Sequence, residues 1–395
     1  QQVSMVMLLA NFIAIPVVAM LVVPTVLLAL SFLFLGATTA AGGLLGIANL
    51  ILSGLWPLLQ LLSDLPYATY VASGPAPWVI LLSVTAAAVV LNTAWGRWRL
   101  LALAGYLPLF LFPTTSWEQG RYSIHLLDVG QGLAVIVQTA QHALVYDAGI
   151  KYPAGFDAGT AMVLPFVQQK RIHTPGVVVA SHDNLDHVGG LDAVTDMFPA
   201  ARRYSSAGFY PGSQPCEAGT HWDWDGVRFS FLHPRKGNRR TGNNVSCVLK
   251  IESAFGSALL TGDIEREGER DLLKYQAGEL AGIDLLLVPH HGSRSSSSSA
   301  FLDRVDPLLA VVSAGYLNRF GHPHPVVKAR YALRAIPLYN TADSGWLEVM
   351  FQRAGIQLTP WRAVYRRYWL SSESAHAVLP RSWPANSARS GALHP

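Results

Sequence analysis

The sequence contains only two cysteines, Cys216 and Cys247, and neither lies in a CxxC pair. A framework of several disulfides and a cysteine-ligated zinc site are therefore excluded, because both need more thiols. A single bridge would close a loop of about thirty residues. The sequence leaves open whether that bridge forms.

Charge is also scarce, since 14% of the 395 residues are charged and 51% are hydrophobic. No charged residue precedes Asp64, and the first 120 residues add only Arg97, Arg99 and Glu118, which leaves 27 of the 29 basic and 23 of the 25 acidic residues for the remainder. This split excludes a wholly soluble protein, a disordered chain and a simple one-domain enzyme. The net charge of +4 permits an anionic partner without requiring one.

The uncharged N-terminal region predicts transmembrane helices, because about twenty apolar residues suffice to cross a bilayer. We place one crossing between about Met5 and Leu35, with Pro16 and Pro24 as kinks or a break, and another at about 41–62. Prolines in such runs favour a packed bundle. The length of the run and the lack of a basic start argue against a cleaved signal peptide. Residues 1–115 are expected to be the end of a longer membrane protein.

Two shorter apolar runs, at about 78–95 and 100–112, flank a loop that contains Arg97 and Arg99. Both runs are short for full spans, so they predict either a tight hairpin, tilted or partly re-entrant, or two independent helices. Basic residues favour cytoplasmic loops, so the hairpin tip is expected inside and the chain from Pro113 onward outside.

After Gly120 the pattern changes to short apolar strands that alternate with helical stretches. This order predicts a mixed α/β domain over residues 121–370. Residues 371–395 have the Ser, Ala, Pro and Arg content of a disordered tail.

Three stretches in this domain carry candidate metal ligands, each directly after an apolar strand. The first, Ser181–Gly190, offers two imidazoles and up to three oxygen ligands, although a polar turn that caps a helix has a similar composition. The second ends in Asp263, which is positioned either to bridge two cations or to cap the helix near Glu265. The third contains His290 and His291. Together they predict a site for a divalent metal.

The spacing of these residues resembles the metallo-β-lactamase superfamily, whose core motif is HxHxDH. The matching segments are His182-x-Asn184-x-Asp186-His187, Thr261-Gly262-Asp263 and His290-His291-Gly292-Ser293. Further segments resemble the DNA internalisation-related competence proteins of the ComEC/Rec2 family: Leu127–Gly132, Leu232-His233-Pro234, Asn243–Ser246 and Gly321-His322-Pro323. The resemblance covers about residues 1–370, because that family also joins a membrane domain to a hydrolase-like domain.

The resemblance implies a fold, a location and partners. The fold would be a four-layer αββα sandwich with the metals at one edge of the two sheets. The chain would be a multi-pass protein of the bacterial inner membrane, with its hydrolase domain on the periplasmic side. DNA, lipid and other proteins of the DNA-uptake machinery would be its partners.

The resemblance also implies a site for one or two divalent ions, zinc or manganese. Its ligands would be His182, Asn184, Asp186, His187, Asp263 and His291, and Asp186 would also orient the attacking water. Asn184 stands where the superfamily has a histidine, and Asn243 or Asn244 stands at a second such position. One ion is therefore expected to be loosely held, or to be a harder ion such as manganese.

Several nearby residues have expected roles around the metals. His290, Ser293 and His324 are candidate substrate contacts, and His322 is a candidate proton donor to the leaving group, although the Gly-His-Pro-His-Pro turn also reads as plain surface. Asp128 is expected to support a ligating histidine from beneath. His233 is left outside the site.

Two segments have competing interpretations. The serine run at 295–299 predicts either a mobile loop at the mouth of the site or a linker. The alternation of Trp361, Arg362, Arg366, Arg367 and Trp369 suits single-stranded nucleic acid, and a solvated edge strand explains it equally well.

Three functions follow. The first is a DNA-uptake protein whose metal-dependent hydrolase domain is a nuclease that acts on incoming DNA. The second is a DNA translocation channel with a catalytically inactive, DNA-binding domain. The third is an unrelated membrane-anchored metallohydrolase that acts on a lactam, a thioester or a small phosphoester. Intact His182, Asp186, His187, Asp263 and His291 favour the first over the second.

Overall fold

The structure, a computed structural model, describes residues 2–364 except 5, 66, 67, 72–76, 93, 95, 111–116, 154, 171, 173 and 239, and also describes residues 381–383. The chain divides into two compact units, residues 1–113 and residues 114–395. Each unit is described by itself.

Two long apolar helical segments dominate the first unit. Helix α1 (Met7–Val17) continues through a π-helical turn (Val18–Val22) into α2 (Val23–Phe34), and α3 (Thr38–Ser63) follows. By length and composition, residues 7–34 and 38–63 are both able to cross a membrane. The break expected at Pro16 and Pro24 is a local change of pitch, since the two prolines flank the π-helical turn.

The remaining elements of the first unit are short. Strands β1 (Gln2–Ser4) and β2 (Thr69–Val71) pair antiparallel, and α4 (Pro77–Leu91) precedes α5 (Trp98–Ala102), a 3₁₀ turn (Leu103–Tyr106) and α6 (Leu107–Phe110). The chain returns along α4, because a Cβ on Gly105 would lie 2.8 Å from the Ala86 Cβ and Arg99 Nε donates to the Val90 carbonyl at 2.7 Å. The segment is a helical hairpin.

Large apolar side chains point outward from the long helices of this unit. Phe12 is 80% exposed and Phe34 is 92% exposed. Such a surface is unfavourable in water and suited to lipid.

The second unit contains two β-sheets. The strands of the first sheet are β3 (Tyr122–Leu126), β4 (Ala134–Gln138), β5 (Ala143–Ala148), β6 (Val177–Ala180), β7 (Arg202–Ser205) and β8 (Gln214–Pro215). The strands of the second sheet are β9 (His221–Trp224), β10 (Val227–His233), β11 (Val248–Ser253), β12 (Gly256–Leu260), β13 (Leu285–Leu287), β14 (Leu309–Val312) and β15 (Leu338–Asn340). Strands β16 (Leu347–Gln352), β17 (Gly355–Pro360) and β18 (Arg381–Trp383) complete the first sheet.

The helices of this unit lie between or after the strands. They are α7 (Leu164–Gln169), α8 (Leu185–Val188), α9 (Leu191–Met197), α10 (Arg266–Tyr275), α11 (Ala277–Leu280), α12 (Ser299–Val305), α13 (Pro325–Leu333), α14 (Thr341–Ser344) and α15 (Trp361–Val364).

Three apolar clusters show how the layers pack. The first lies between the two sheets, the second between the first sheet and helices α7 and α9, and the third between the second sheet and helices α10, α12 and α13. Alternation along β4 shows the principle, because Val135 and Val137 belong to the first cluster while Ala134 and Ile136 belong to the second. Three interfaces require four layers, so the αββα sandwich expected from the resemblance is confirmed.

Sheet topology brings the candidate ligands to one edge. The first sheet has the order β18-β17-β16-β3-β4-β5-β6-β7-β8 and the second β15-β14-β13-β12-β11-β10-β9. Strands β5, β6 and β7 are parallel, and so are β12, β13, β14 and β15. Parallel strands share the edge at which their carboxyl ends emerge, and a ligand site commonly forms there.

A disulfide joins the two sheets. Cys216 follows β8 of the first sheet, Cys247 precedes β11 of the second, and both side chains are fully buried. The sequence left this bridge open, and the structure forms it across 31 residues. The Cys247 amide also donates to the Ser181 carbonyl at 2.9 Å, which ties the bridge to the loop that follows β6.

The C-terminal region is described only in part. Within the tail predicted to be disordered, residues 381–383 form β18 and pair with β17 from Ile356 to Leu358. The rest of residues 371–395 lies outside the described residues, as do Arg366, Arg367 and Trp369.

Candidate metal centre

The loop after β6 buries two of the predicted ligands. His182 and His187 have no exposed surface, and His187 lies on α8, which begins directly after Asn184. The Ser181 hydroxyl lies 3.0 Å from His182 Nδ1, so that nitrogen is hydrogen-bonded within the protein. His182 Nε2 is buried without a hydrogen-bond partner and faces Asp263 at 4.0 Å.

Asp147 orients His187 and the loop that carries it. This fully buried residue is the penultimate residue of β5 and has a left-handed conformation (φ 58°). Its Oδ1 accepts from the Ser181 amide at 2.7 Å, and its Oδ2 accepts from the Ser181 hydroxyl at 2.6 Å and from His187 Nδ1 at 2.7 Å. His187 Nε2 therefore points into the site, because the other ring nitrogen is fixed.

A glycine turn after β12 presents Asp263. Gly262 has φ +52°, and a Cβ there would lie 2.9 Å from the Ser246 Cβ, so only glycine fits. The Asp263 amide donates to the Ser246 hydroxyl at 3.1 Å, which leaves the carboxylate free to face the histidines. The alternative of a helix cap is not adopted, since Asn244 Oδ1 accepts from the Glu265 and Gly268 amides and caps α10.

His291 completes the cluster from the turn after β13. His290 and His291 are both left-handed (φ 49° and 52°), an uncommon conformation for side chains of this size. His291 Nδ1 donates to the Ser313 carbonyl at 2.9 Å, so its Nε2 also faces inward. The strained turn thus aims His291 rather than its neighbour at the centre of the site.

The side-chain atoms at the centre are spaced as a cation needs. His187 Nε2 lies 3.2 Å from both His291 Nε2 and Asp263 Oδ1, and His291 Nε2 lies 3.5 Å from Asp186 Oδ2 and from Asp263 Oδ2. Ligands bound at about 2.1 Å in a tetrahedron lie about 3.4 Å apart. Four side chains from three elements, α8 and the turns after β12 and β13, therefore have spacings that suit a divalent cation. The Nδ1 atoms of His187 and His291 are held by Asp147 and by the Ser313 carbonyl, so both Nε2 atoms are available to a cation.

Burial and neighbouring charges shift the pKa values of three residues in the site. Burial opposes charge on His187, but the carboxylates of Asp263 and Asp147 raise its pKa well above the ordinary value. Burial likewise opposes charge on Asp263, but His187 and His291 hold its pKa well below the ordinary value. Burial and the neighbouring His187 lower the pKa of His182 to about 4. Asp263 is thus ionised where a cation would bind, and His182 is uncharged at neutral pH.

Two asparagine side chains, Asn184 and Asn243, form a separate hydrogen-bonded pair beside this cluster. Asn184 is exposed, and its Nδ2 donates to Asn243 Oδ1 at 3.0 Å. Asn243 Nδ2 in turn lies 3.3 Å from His290 Nε2. The two residues that replace superfamily histidines are therefore paired with each other. Of the two candidates for the second replacement, Asn243 faces the site and Asn244 caps a helix.

Other predicted residues have different surroundings. The supporting role expected of Asp128 is filled by Asp147, while Asp128 accepts from Arg362 at 2.9 Å. His324 Nδ1 accepts from the Val326 amide and caps α13, which gives it a structural contact. Ser293 is partly buried and bonds to the Ser295 hydroxyl at 3.0 Å.

His322 and His290 lie near the metal ligands. Their ring centroids are 6.1 Å apart, and His290 Nε2 lies 3.7 Å from Asp263 Oδ2. Burial and the nearby His291 lower the pKa of His322 to about 4. His322 is therefore neutral at pH 7, which suits a hydrogen-bonding contact better than a cationic acid.

The serine run at 295–299 and the segment that begins at Trp361 pack within the domain, as far as the structure describes them. Ser296 and Ser297 are fully buried, and Glu269 accepts from the Ser297 and Ser298 amides, so the serine run is an ordered turn and neither a mobile loop nor a linker. Trp361 lies 5.0 Å from the ring of Trp346.

Asp147 and Ser181 are the residues that sequence reasoning missed. The signal was present, because Asp147 follows the apolar run Ala143–Tyr146, much as Asp263 follows the apolar strand β12. Recognising it required knowing that β5 and β6 are neighbours.

Comparison with known proteins agrees with this architecture. Residues 127–316 match the metallo-beta-lactamase superfamily, and residues 1–120 match the competence protein family. The uncharacterized protein YcaI of Escherichia coli K12 is 33% identical over 96% of this chain and 48% of its own length. Competence protein ComA of Neisseria gonorrhoeae is 33% identical over 78% of this chain and 43% of its own length.

Among solved structures, a mutant metallo-beta-lactamase from Cronobacter sakazakii is similar at a TM-score of 0.30 and 15% identity, over 43% of this chain and 77% of that one. This chain spans about half or less of the length of the two relatives named above. It carries a competence protein domain followed by a metallo-β-lactamase superfamily domain, the two-part organisation of the ComEC/Rec2 family that its motifs resemble.

Proposed function

We propose that this chain is part of an inner-membrane DNA-uptake protein whose hydrolase domain cleaves phosphodiester bonds of incoming DNA in a metal-dependent reaction. The observation that carries the proposal is the convergence of three imidazole Nε2 atoms and two carboxylates at one edge of the sandwich. The competence protein match over residues 1–120 supports DNA as the substrate.

Asp186, His187 and His291 form one group of candidate ligands, and His182, His187 and Asp263 form another. Asp263 Oδ2 also lies 3.5 Å from His291 Nε2, so together these residues would hold one or two divalent ions, zinc or manganese. A bound divalent cation supplies Lewis acidity, which generates hydroxide from water near neutral pH and neutralises charge on phosphoryl oxygens. The orphaned His182 Nε2 supports this fit, because a buried imidazole nitrogen without a partner is costly unless a ligand satisfies it.

Asp186 and His322 would act on the reactants. Burial opposes charge on Asp186, but a hydrogen bond with His291 lowers its pKa to about 2, so it is ionised and orients water by accepting a hydrogen bond. Its side chain is 28% exposed, more than that of Asp263 at 3%, so solvent reaches it. His322, neutral and partly exposed, would contact the phosphate or the leaving oxygen.

One observation favours the second candidate, a channel whose domain only binds DNA. Asn184 and Asn243 are neutral amides bonded to each other, so two positions at which the superfamily has histidines offer no imidazole to a cation. Under this alternative a cation would bind weakly and no hydrolysis would follow.

The periplasmic side is proposed for the hydrolase domain on two grounds. Arg97 and Arg99 favour a cytoplasmic hairpin tip. The buried disulfide between Cys216 and Cys247 is typical of proteins that fold in an oxidising compartment. Other DNA-uptake proteins would then meet the domain outside the membrane.

A nuclease assay on the full chain in detergent tests the proposal. Labelled DNA should be cut with manganese or zinc, and EDTA should abolish the cleavage. Asp263→Ala should lower the rate by more than about 100-fold, since 10- to 100-fold is the usual loss for residues that only orient ligands. The matched control is Asp223→Ala, which removes an exposed carboxylate paired with Arg228. Wild-type DNA binding without cleavage under any of these metals would favour the binding-only channel.

A further inference from the structure

A cleft of about 490 Å³ opens beside the metal centre and shares Asp186 with it. One wall comes from the loop after β5, where Ile150 and Tyr152 lie, and the other from the loop after β14, where Arg319 and Phe320 lie. Because β5 and β14 belong to different sheets, the cleft runs between the two halves of the sandwich. Its volume suits a small organic group.

Large apolar side chains are exposed in the walls of the cleft. Leu185, Phe320 and Tyr152 are 66%, 51% and 46% exposed, and all three line the cleft. Such side chains clustered around a functional centre mark a surface that an apolar group covers.

The aromatic rings of Phe320 and Tyr152 each pack against another ring. Phe320 stacks on His322 at 5.6 Å with an angle of 25° between the rings, and the Arg319 guanidinium lies 4.8 Å from the Phe320 centroid. Tyr152 is supported by Phe156 at 5.9 Å. The result is a stacking surface with a cation on one side and a tyrosine on the other.

The charge beside this surface is positive. Arg319 lines the cleft, and Lys151, between Ile150 and Tyr152, is exposed. A ligand that is flat and apolar at one end and anionic at the other matches this combination. A nucleotide has both features, and base stacking on aromatic and arginine surfaces is tolerant of sequence.

We propose that this cleft binds an unpaired nucleobase next to the phosphate held at the metal centre, so that the site takes single-stranded nucleic acid. The proposal rests on the proposed phosphodiesterase function. A base in a duplex is already stacked and paired, so it cannot enter between Tyr152 and Phe320 without being unstacked. Selection for single strands then follows from the shape of the cleft.

Binding measurements on the full chain in detergent and EDTA test the cleft without any cleavage. The probes are a fluorescent oligothymidylate and an abasic strand of the same length, which keeps the phosphates and lacks the bases. Tyr152→Ala and Phe320→Ala should each raise the Kd for oligothymidylate roughly 5- to 150-fold and leave the Kd for the abasic strand unchanged. Tyr152→Phe and Phe320→Tyr, which keep the rings, should bind like the wild type.

The control is Tyr275→Ala, because Tyr275 is 43% exposed, close to the value for Tyr152, and lies outside the cleft. An equal loss for Tyr275→Ala, or equal losses on both probes for the cleft variants, would overturn the cleft. If the variants show the predicted binding pattern but the wild-type chain never cleaves DNA, the proposed function would be overturned and the cleft supported. Cleavage with no preference for the strand that carries bases would overturn the cleft alone.

Discussion

Asp147→Asn is the substitution whose effect follows most directly from the geometry of the site. The native carboxylate is fully buried and accepts three hydrogen bonds, two from Ser181 and one from His187 Nδ1. An amide of the same shape retains one acceptor oxygen and puts an NH₂ donor where an acceptor is needed. The ring of His187 then loses the partner that fixes its tautomer and its direction.

The expected size of this effect is a 10- to 100-fold loss of metal affinity, the usual range for residues that orient a metal-ligating histidine. That loss corresponds to about 1.4 to 2.7 kcal/mol of binding free energy. It agrees with the roughly 1.5 to 3 kcal/mol assigned to a hydrogen bond with a charged group. The fold should survive, because the backbone and the side-chain volume are unchanged.

The assay is titration calorimetry of manganese and zinc into wild type, Asp147→Asn and the control Asp128→Asn. Asp128 is a partly buried carboxylate whose partner is Arg362. Its substitution should leave both affinities within about twofold of the wild type, since Asp128 forms its side-chain bond with Arg362 and not with a candidate metal ligand. Unchanged affinity in Asp147→Asn, or an equal loss in Asp128→Asn, would refute the assignment of this role to Asp147.

Three further predictions concern separate parts of the chain. Asn184→His should tighten zinc binding and shift the preferred activating metal from manganese toward zinc, because an imidazole replaces an amide now bonded to Asn243; unchanged zinc affinity in the same titration would show that Asn184 serves only the turn. Burial and Lys170 lower the pKa of His125 to about 3, from 6.5 unfolded, so its stabilising effect is complete above pH 6.5 and is lost as the pH falls. The free energy of unfolding, measured with urea, should be about 2 kcal/mol lower at pH 5 than well above pH 6.5 in the wild type. His125→Gln should lack this difference. A periplasmic reporter fused after residue 371 should be active, and Arg97→Gln with Arg99→Gln should weaken that orientation; a reporter active only in the cytoplasm would contradict it.

Much of this arrangement was predictable from local sequence. The two apolar segments of the first unit follow from the absence of charge before Asp64, and the ligand loops follow from polar residues placed after apolar strands. His182, His187, Asp263 and His291 could be named because each lies within a short motif. Local patterns were sufficient wherever the residues that determine a feature are close in the chain.

Features that depend on distant pairing could not be predicted. Asp147 supports His187 only because β5 and β6 are adjacent, and a lone carboxylate after a strand does not reveal its partner. The disulfide depends on two strands in different sheets lying opposite each other. The serine run is fixed by Glu269, some thirty residues earlier, so its composition alone indicated mobility wrongly.

The central claim is that Asp186, His187, His291 and Asp263 hold a divalent cation. The most direct measurement is the metal content of the purified full chain by elemental analysis, for wild type, Asp263→Ala and the surface control Asp223→Ala. We predict one or two divalent ions per chain in the wild type and in the control, and a clear loss in Asp263→Ala, because the carboxylate that faces all three histidines is gone. A wild-type chain that binds no zinc or manganese, or an Asp263→Ala chain with its full metal content, would contradict the claim.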